Sequence, residues 1–147
     1  MVGEMLEFCK AQQDDSFCGA IALYSIYHLP RVHHLELLVQ LKRILLEGSP
    51  CLFNVPEHAG EYLQENWLGS EKMYWSKSSL SLSFILLTCV TGHFSVEWYE
   101  LTLKQLGFEL LCKYKEIKEF LGEREVMWYL LFKVPAKEQD DLLWKSK

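Results

Sequence analysis

Residues 19–29 (GAIALYSIYHL) are the tightest constraint in the 147-residue chain. They carry apolar side chains on nearly every side and stop at Pro30. A segment of this kind has to be buried all round, so a core must be built about it, and its length and proline stop predict a short core helix. The next stretch, residues 32–47, places Leu35, Leu38, Val39, Leu45 and Leu46 at three- and four-residue spacings, with Lys42 and Arg43 interrupting the stripe and Gly48 closing it. That pattern predicts an amphipathic helix over the first. A third helix is predicted over residues 55–66, where Pro56 occupies an early helical position that does not need its missing N–H.

Beyond about residue 70 the pattern changes. Residues 72–76 and 80–91 are rich in aromatic and β-branched side chains or apolar throughout, as strands are. Residues 95–106 fit either a helix capped by Ser95, with Val96, Tyr99, Leu103 and Leu106 in a stripe closed by Gly107, or an alternating strand at their start. The spacing favours a strand leading into a helix. Residues 108–114 and 126–134 read as strands flanking a short helix near residues 115–121. Helices followed by strands predict an α+β fold: an N-terminal helical half around the Cys18-led helix and a C-terminal antiparallel sheet. The length predicts a single domain over residues 1–135 and a mobile tail over 136–147.

The formal charge of −5 has no basic stripe to neutralise phosphates, which argues against a nucleic-acid partner. No apolar run is long enough for a membrane helix, and the N-terminus has no basic start followed by an apolar stretch, so the expected setting is the cytoplasm or another reducing compartment. The five cysteines (Cys9, Cys18, Cys51, Cys89, Cys112) are odd in number and widely spaced, which predicts thiols rather than disulfides or a structural zinc site. Neither a metal nor a cofactor is called for. Cys89 and Cys112 are expected to be small buried hydrophobes.

Cys18 stands apart because it precedes the predicted core helix, whose N-terminus carries about half a positive charge and favours a thiolate. Gln12, six residues upstream, could place its amide beside that sulfur and, with the Cys18 N–H, present two donors to a developing oxyanion. The run Gln12, Asp14, Cys18-Gly19 and the apolar residues through Leu23 resembles the Gln-x-Asp-x-x-x-Cys-Gly-x-x-x-Leu pattern of papain-like peptidases of the bacteriocin-processing group. A looser similarity reaches the aphthovirus leader proteases, from which Gly19 departs because those have Trp there. The resemblance implies a papain-like fold, a Cys18 nucleophile, an oxyanion-binding Gln12 and a protein or peptide substrate. Residues 92–94 (GHF) are similar to the family's histidine element, which implies His93 as the general base and acid of a thioester mechanism.

The third catalytic member has no Asp or Asn candidate between His93 and Asp140, leaving Glu109 on the following strand as the best carboxylate. Two alternatives follow. One is a papain-like module that binds a partner without catalysis, or transfers or hydrolyses amides by the same thioester route. The other is a non-catalytic methyltransferase-like fragment: residues 80 onward, through Gly107-Phe108 and the strand at 128–134, are similar to the last elements of nucleotide-fold methyltransferases. Against this stands the lack of a Gly-x-Gly-x-x-Gly turn among the eight glycines.

Overall fold

The computed structural model describes residues 5–57, 62–67, 70–76, 89–91, 94–120 and 123–136. His93 and the predicted tail from residue 137 onward lie outside them. Helix α1 (Met5–Lys10) leads through a loop to strand β1 (Ala20–Ala22), a 3-10 turn (Ile26–His28), helix α2 (Arg31–Ile44) and strand β2 (Pro50–Pro56). Strands β3 (Tyr62–Trp67), β4 (Ser70–Ser76) and β5 (Cys89–Thr91) follow, then helix α3 (Val96–Gln105) and the long strands β6 (Glu109–Phe120) and β7 (Glu123–Lys133).

The main sheet has the order β1-β2-β7-β6, and β3-β4-β5 make a separate antiparallel sheet. Strand β1 runs parallel to β2, with Ile21 opposite Leu52, so β1, α2 and β2 form a βαβ crossover. Strand β7 then enters antiparallel between β2 and β6, pairing Phe53 with Leu130 on one side and Tyr129 with Tyr114 on the other. A parallel pair followed by a reversed inner strand is a mixed sheet. It is incompatible with the papain-like plan predicted from the sequence, in which a Cys-led helix stands against an antiparallel sheet.

The correction is sharpest at residues 19–29. The segment is buried as expected at Ile26 and Tyr27, yet it is a strand and a turn, because Tyr24 adopts φ +52°, which ends any helix through it. Gly19 serves a close approach: a Cβ there would stand 3.3 Å from the Pro50 carbonyl oxygen, where β1 meets β2. Residues 50–56 form a strand where a helix starting at residue 55 was predicted, because Cys51, Phe53 and Val55 alternate into the core. Residues 115–120 continue β6 rather than forming a helix, since β7 pairs with them to the end.

The core lies between the sheet and the helices. Phe53 and Phe132 stack at 5.8 Å, Tyr99 meets Phe53 edge-on at 5.6 Å, and Leu37, Leu38, Ile44, Leu103 and Leu130 fill the remainder. Helix α2 presents His34, Leu37, Leu38, Leu41 and Ile44 to it and leaves Leu35 and Val39 exposed, a neighbouring stripe to the predicted one. His34, fully buried, stitches the layers: one ring nitrogen faces the Leu29 carbonyl at 3.0 Å and the other the Tyr99 hydroxyl at 2.6 Å. Helix α3 is helical from its first residue, as its cap implied: Ser95 accepts from the Trp98 N–H at 3.3 Å, and Gly107 takes φ +88° just beyond its end.

Candidate functional site

Of the thiol site expected from the sequence, Cys18, Gln12 and Glu109 lie among the described residues. Cys18 lies in the exposed bend ahead of β1 and, contrary to the expectation from the sequence, does not begin a helix. Gln12 closes the preceding helix instead, its Nε2 donating to the Phe8 carbonyl at 3.0 Å. Asp14 pairs with Arg43, whose guanidinium also donates to the carbonyls of Cys9 and Gln12 at 2.9 and 2.8 Å. The Gln-x-Asp run is therefore a loop clamp onto α2. Glu109 begins β6, exposed, opposite Lys133 and 3.9 Å from its ammonium. Among the described residues no hydrogen bond or ion pair joins Cys18, Gln12 and Glu109, and His93 lies outside those residues. Cys112 is exposed, contrary to expectation, while burial holds the Cys9 and Cys51 thiols protonated, Cys51 with its pKa pushed up to about 12.

A different set of side chains gathers where the parallel strands end. In open α/β sheets ligands bind outside the carboxyl ends of the parallel strands, and Tyr24 lies two residues past the end of β1. Its N–H donates to Asn54 Oδ1 at 2.7 Å, binding the β1 exit to β2. Holding a tyrosine at φ +52° costs on the order of 1–3 kcal/mol, strain of the kind that concentrates at functional sites. Asn54 is fully buried, and its Nδ2 has no hydrogen-bond partner, so a donor that costs energy to bury is left unused.

Across the sheet Asn54 stands in register with Tyr129, and Tyr129 with Tyr114, so the three side chains share one face. Glu116 and Lys118 follow Tyr114 at two-residue steps on that face. Tyr129 donates to Glu116 Oε2 at 2.7 Å, the Tyr24 and Tyr129 oxygens are 3.1 Å apart, and Lys118 Nζ donates to the Tyr24 oxygen at 3.0 Å. Each hydroxyl has one proton. Because that of Tyr129 goes to Glu116, Tyr24 must donate to Tyr129, and the bonds run in one direction from Lys118 through both tyrosines to Glu116. The ionisation states agree: the bonds from Tyr129 and Lys118 hold the Glu116 carboxyl below its ordinary range, and those from Tyr24 and Glu116 raise the Lys118 ammonium. Lys118 also pairs directly with Glu116 at 3.1 Å, so the bonds close into a ring that fixes both hydroxyls over an aromatic, partly exposed floor.

No family model matches the sequence, and no curated protein is similar to it in sequence. Solved structures are similar in fold. A SAM-dependent methyltransferase from Methanosarcina mazei aligns with a TM-score of 0.58 at 12% identity, over 86% of this chain and 63% of its own. A Listeria monocytogenes protein assigned as an S-adenosylmethionine-dependent methyltransferase gives 0.59 at 15% identity, over 84% and 64%. The fold is methyltransferase-like. The 1,6-didemethyltoxoflavin-N1-methyltransferase of Burkholderia thailandensis, solved with its substrate and S-adenosylhomocysteine, adds 0.56 at 9% identity, over 86% of this chain and 48% of that one. This chain thus spans about half to two thirds of the length of the structures it resembles, and the papain-like fold expected from the sequence is corrected to a methyltransferase-like one.

S-adenosylmethionine is the cofactor such a fold implies. A nucleotide cofactor in a doubly wound sheet lies in the crevice where strand order reverses, on a glycine-rich turn after the first strand. Among the described residues β1 is the last strand of its sheet, and its exit is tied to Asn54 of β2. None of the eight glycines belongs to a Gly-x-Gly-x-x-Gly turn. The residues present do not fit the nucleotide half of the cofactor. Among the described residues no helix is long and apolar enough to cross a membrane.

Proposed function

We propose that the chain is the acceptor-side half of a methyltransferase-type transferase, a unit that does not bind the cofactor or catalyse transfer by itself. The observation that carries this reading is the β1-α2-β2 crossover with β7 reversed between β2 and β6, combined with the absence of a glycine-rich turn in the sequence. The Tyr24 and Tyr129 cluster lies on the wall that an acceptor would meet, its hydroxyls oriented by Lys118 and Glu116. Within the reading Asn54 holds the β1 exit in place through Tyr24, which supplies a ring edge.

Equilibrium dialysis with tritiated S-adenosylmethionine tests the reading. The chain alone is expected to retain none at concentrations up to about 1 mM, the weak end of useful affinity. Retention with a dissociation constant below about 100 μM would show a complete cofactor site and overturn the half-fold reading.

A further inference from the structure

Strand β6 forms the other margin of the main sheet, and it is long where edge strands are usually short. It runs for 12 residues, pairs with β7 along its length and, among the described residues, has no neighbour on its outer side. Natural sheets blunt such an edge with lysines, bulges or a covering element. The bulge of β6 lies near its start, between Leu110 and Cys112, so residues 112–119 are regular and keep their outward backbone N–H and C=O groups in line. Within that stretch Ile117 is 48% exposed.

The charges of the strand decide what can pair with it. Residues 115–119 read Lys-Glu-Ile-Lys-Glu. When two copies of a strand pair antiparallel about a two-fold axis normal to the sheet, residues equally far from the axis face each other, with their side chains on the same face. An axis through Ile117 sets Lys115 opposite Glu119 of the second copy and Glu116 opposite its Lys118, in both directions, and Ile117 opposite itself. Moving the axis to any other residue from 113 to 119 sets like charges opposite: Lys113, Lys115, Glu116, Lys118 or Glu119 against itself or, about Tyr114, Lys113 against Lys115. Opposite charges that face each other stabilise a strand pair and like charges destabilise it. A protective edge of lysines repels a second copy in every register, whereas this one repels all but one. The Glu116–Lys118 pair inside each chain fits that register, because the second copy extends it into a square of alternating charge.

We propose that β6 is a self-association edge, at which two copies of this chain pair antiparallel about Ile117 and join their main sheets into one. Main-chain hydrogen bonds supply the affinity and the charge order supplies the register. Pairing would also cover Ile117 with its own symmetry mate. This surface does not depend on the transferase reading.

Sedimentation equilibrium of the full chain at low salt tests the proposal. Wild type is expected to be a dimer at about 100 μM. Glu119→Lys and Lys115→Glu each turn two attractive contacts into repulsive ones and are expected to weaken the dimer at least about tenfold. An equimolar mixture of the two variants regains opposite charges at every facing pair and is expected to dimerise within about threefold of wild type. A monomeric wild type, single variants that dimerise as well as wild type, or a mixture no tighter than its components overturns the proposal. Unchanged melting temperatures separate lost pairing from misfolding. Lys115→Glu also gives up its contact with Glu57, so a readout on wild type alone covers the case in which that variant unfolds. Amide hydrogen exchange over residues 113–119 is expected to slow as the protein is concentrated from about 1 to about 100 μM. No slowing there, or slowing at Ile21 and not at Ile117, overturns the proposal, since no edge or a different edge is then in use.

Discussion

The centre of the main sheet and its β1 margin belong to one layer and are built on opposite terms. At the centre β2 and β7 each have two neighbours, Phe53 and Leu130 are fully buried, and the buried His34 and Tyr99 satisfy one another across the helix layer. At the margin Ile21 stands in solvent, Tyr24 is held in a left-handed conformation, and the Asn54 Nδ2 is buried without a partner. A sheet optimised for stability alone would remove all three features. The difference locates the fold's own stability at β2-β7 and its unfinished business at β1.

The contrast can be broken by mutation, and the largest effect belongs to the centre. Phe53→Ala should cost about 3–5 kcal/mol in urea unfolding, because it opens a cavity between Phe132 and Tyr99 that the stacked rings cannot close. A loss under about 1 kcal/mol would move the core elsewhere. Tyr99→Phe should cost about 1–3 kcal/mol, since it deprives a buried ring nitrogen of His34 of its partner.

Stability should also fall in alkaline solution. The folded Cys51 thiol has its pKa raised from 9.0 to about 12, chiefly by burial, with the neighbouring Cys9 adding to it. Its favoured form is the protonated one. The associated stability is complete below the ordinary thiol value and is lost as pH rises from about 9 towards 12. Melting temperatures of wild type and Cys51→Ala followed over pH 8–11 should converge as the pH rises; parallel curves would remove Cys51 from the effect.

Smaller effects sharpen the comparison. Gly107→Ala should cost about 1 kcal/mol through its left-handed backbone, with the added methyl only in ordinary contact with Pro135. At the margin, Ile21→Ala should change stability by less than about 0.5 kcal/mol despite replacing a large apolar residue, because that side chain is already in water. A loss comparable to that of Phe53→Ala would mean that β1 is covered and the comparison fails.

Some of this was legible in the residues. Ser95, the stripe through Tyr99 and Leu103, and Gly107 specify α3 at both ends, and the apolar run near Leu130 specifies β7, because caps and buried strands leave local signatures. Other elements were decided by partners distant in sequence. An all-round apolar run suits a buried helix or a buried strand equally, and residues 19–29 became strand and turn because β2 lies parallel to them. The Lys- and Glu-rich residues 115–119 have good helix propensity, which pairing with β7 overrides. The site was less legible than the fold. Tyr24 occupies a conformation usually marked by glycine or asparagine, so its residue type gave no sign of the turn. Tyr114, Glu116 and Lys118 do alternate, and that period of two was the available clue to a shared face with Tyr129.

The strand order β1-β2-β7-β6 carries the whole account, and interstrand nuclear Overhauser contacts in the labelled protein test it most directly. Contacts of Leu52 with Ile21 on one side and with Leu131 on the other are expected, as the sheet register requires. Helical contacts between residues three apart running through positions 19–29, with none between Ile21 and Leu52, would contradict it and return Cys18 to the head of a helix.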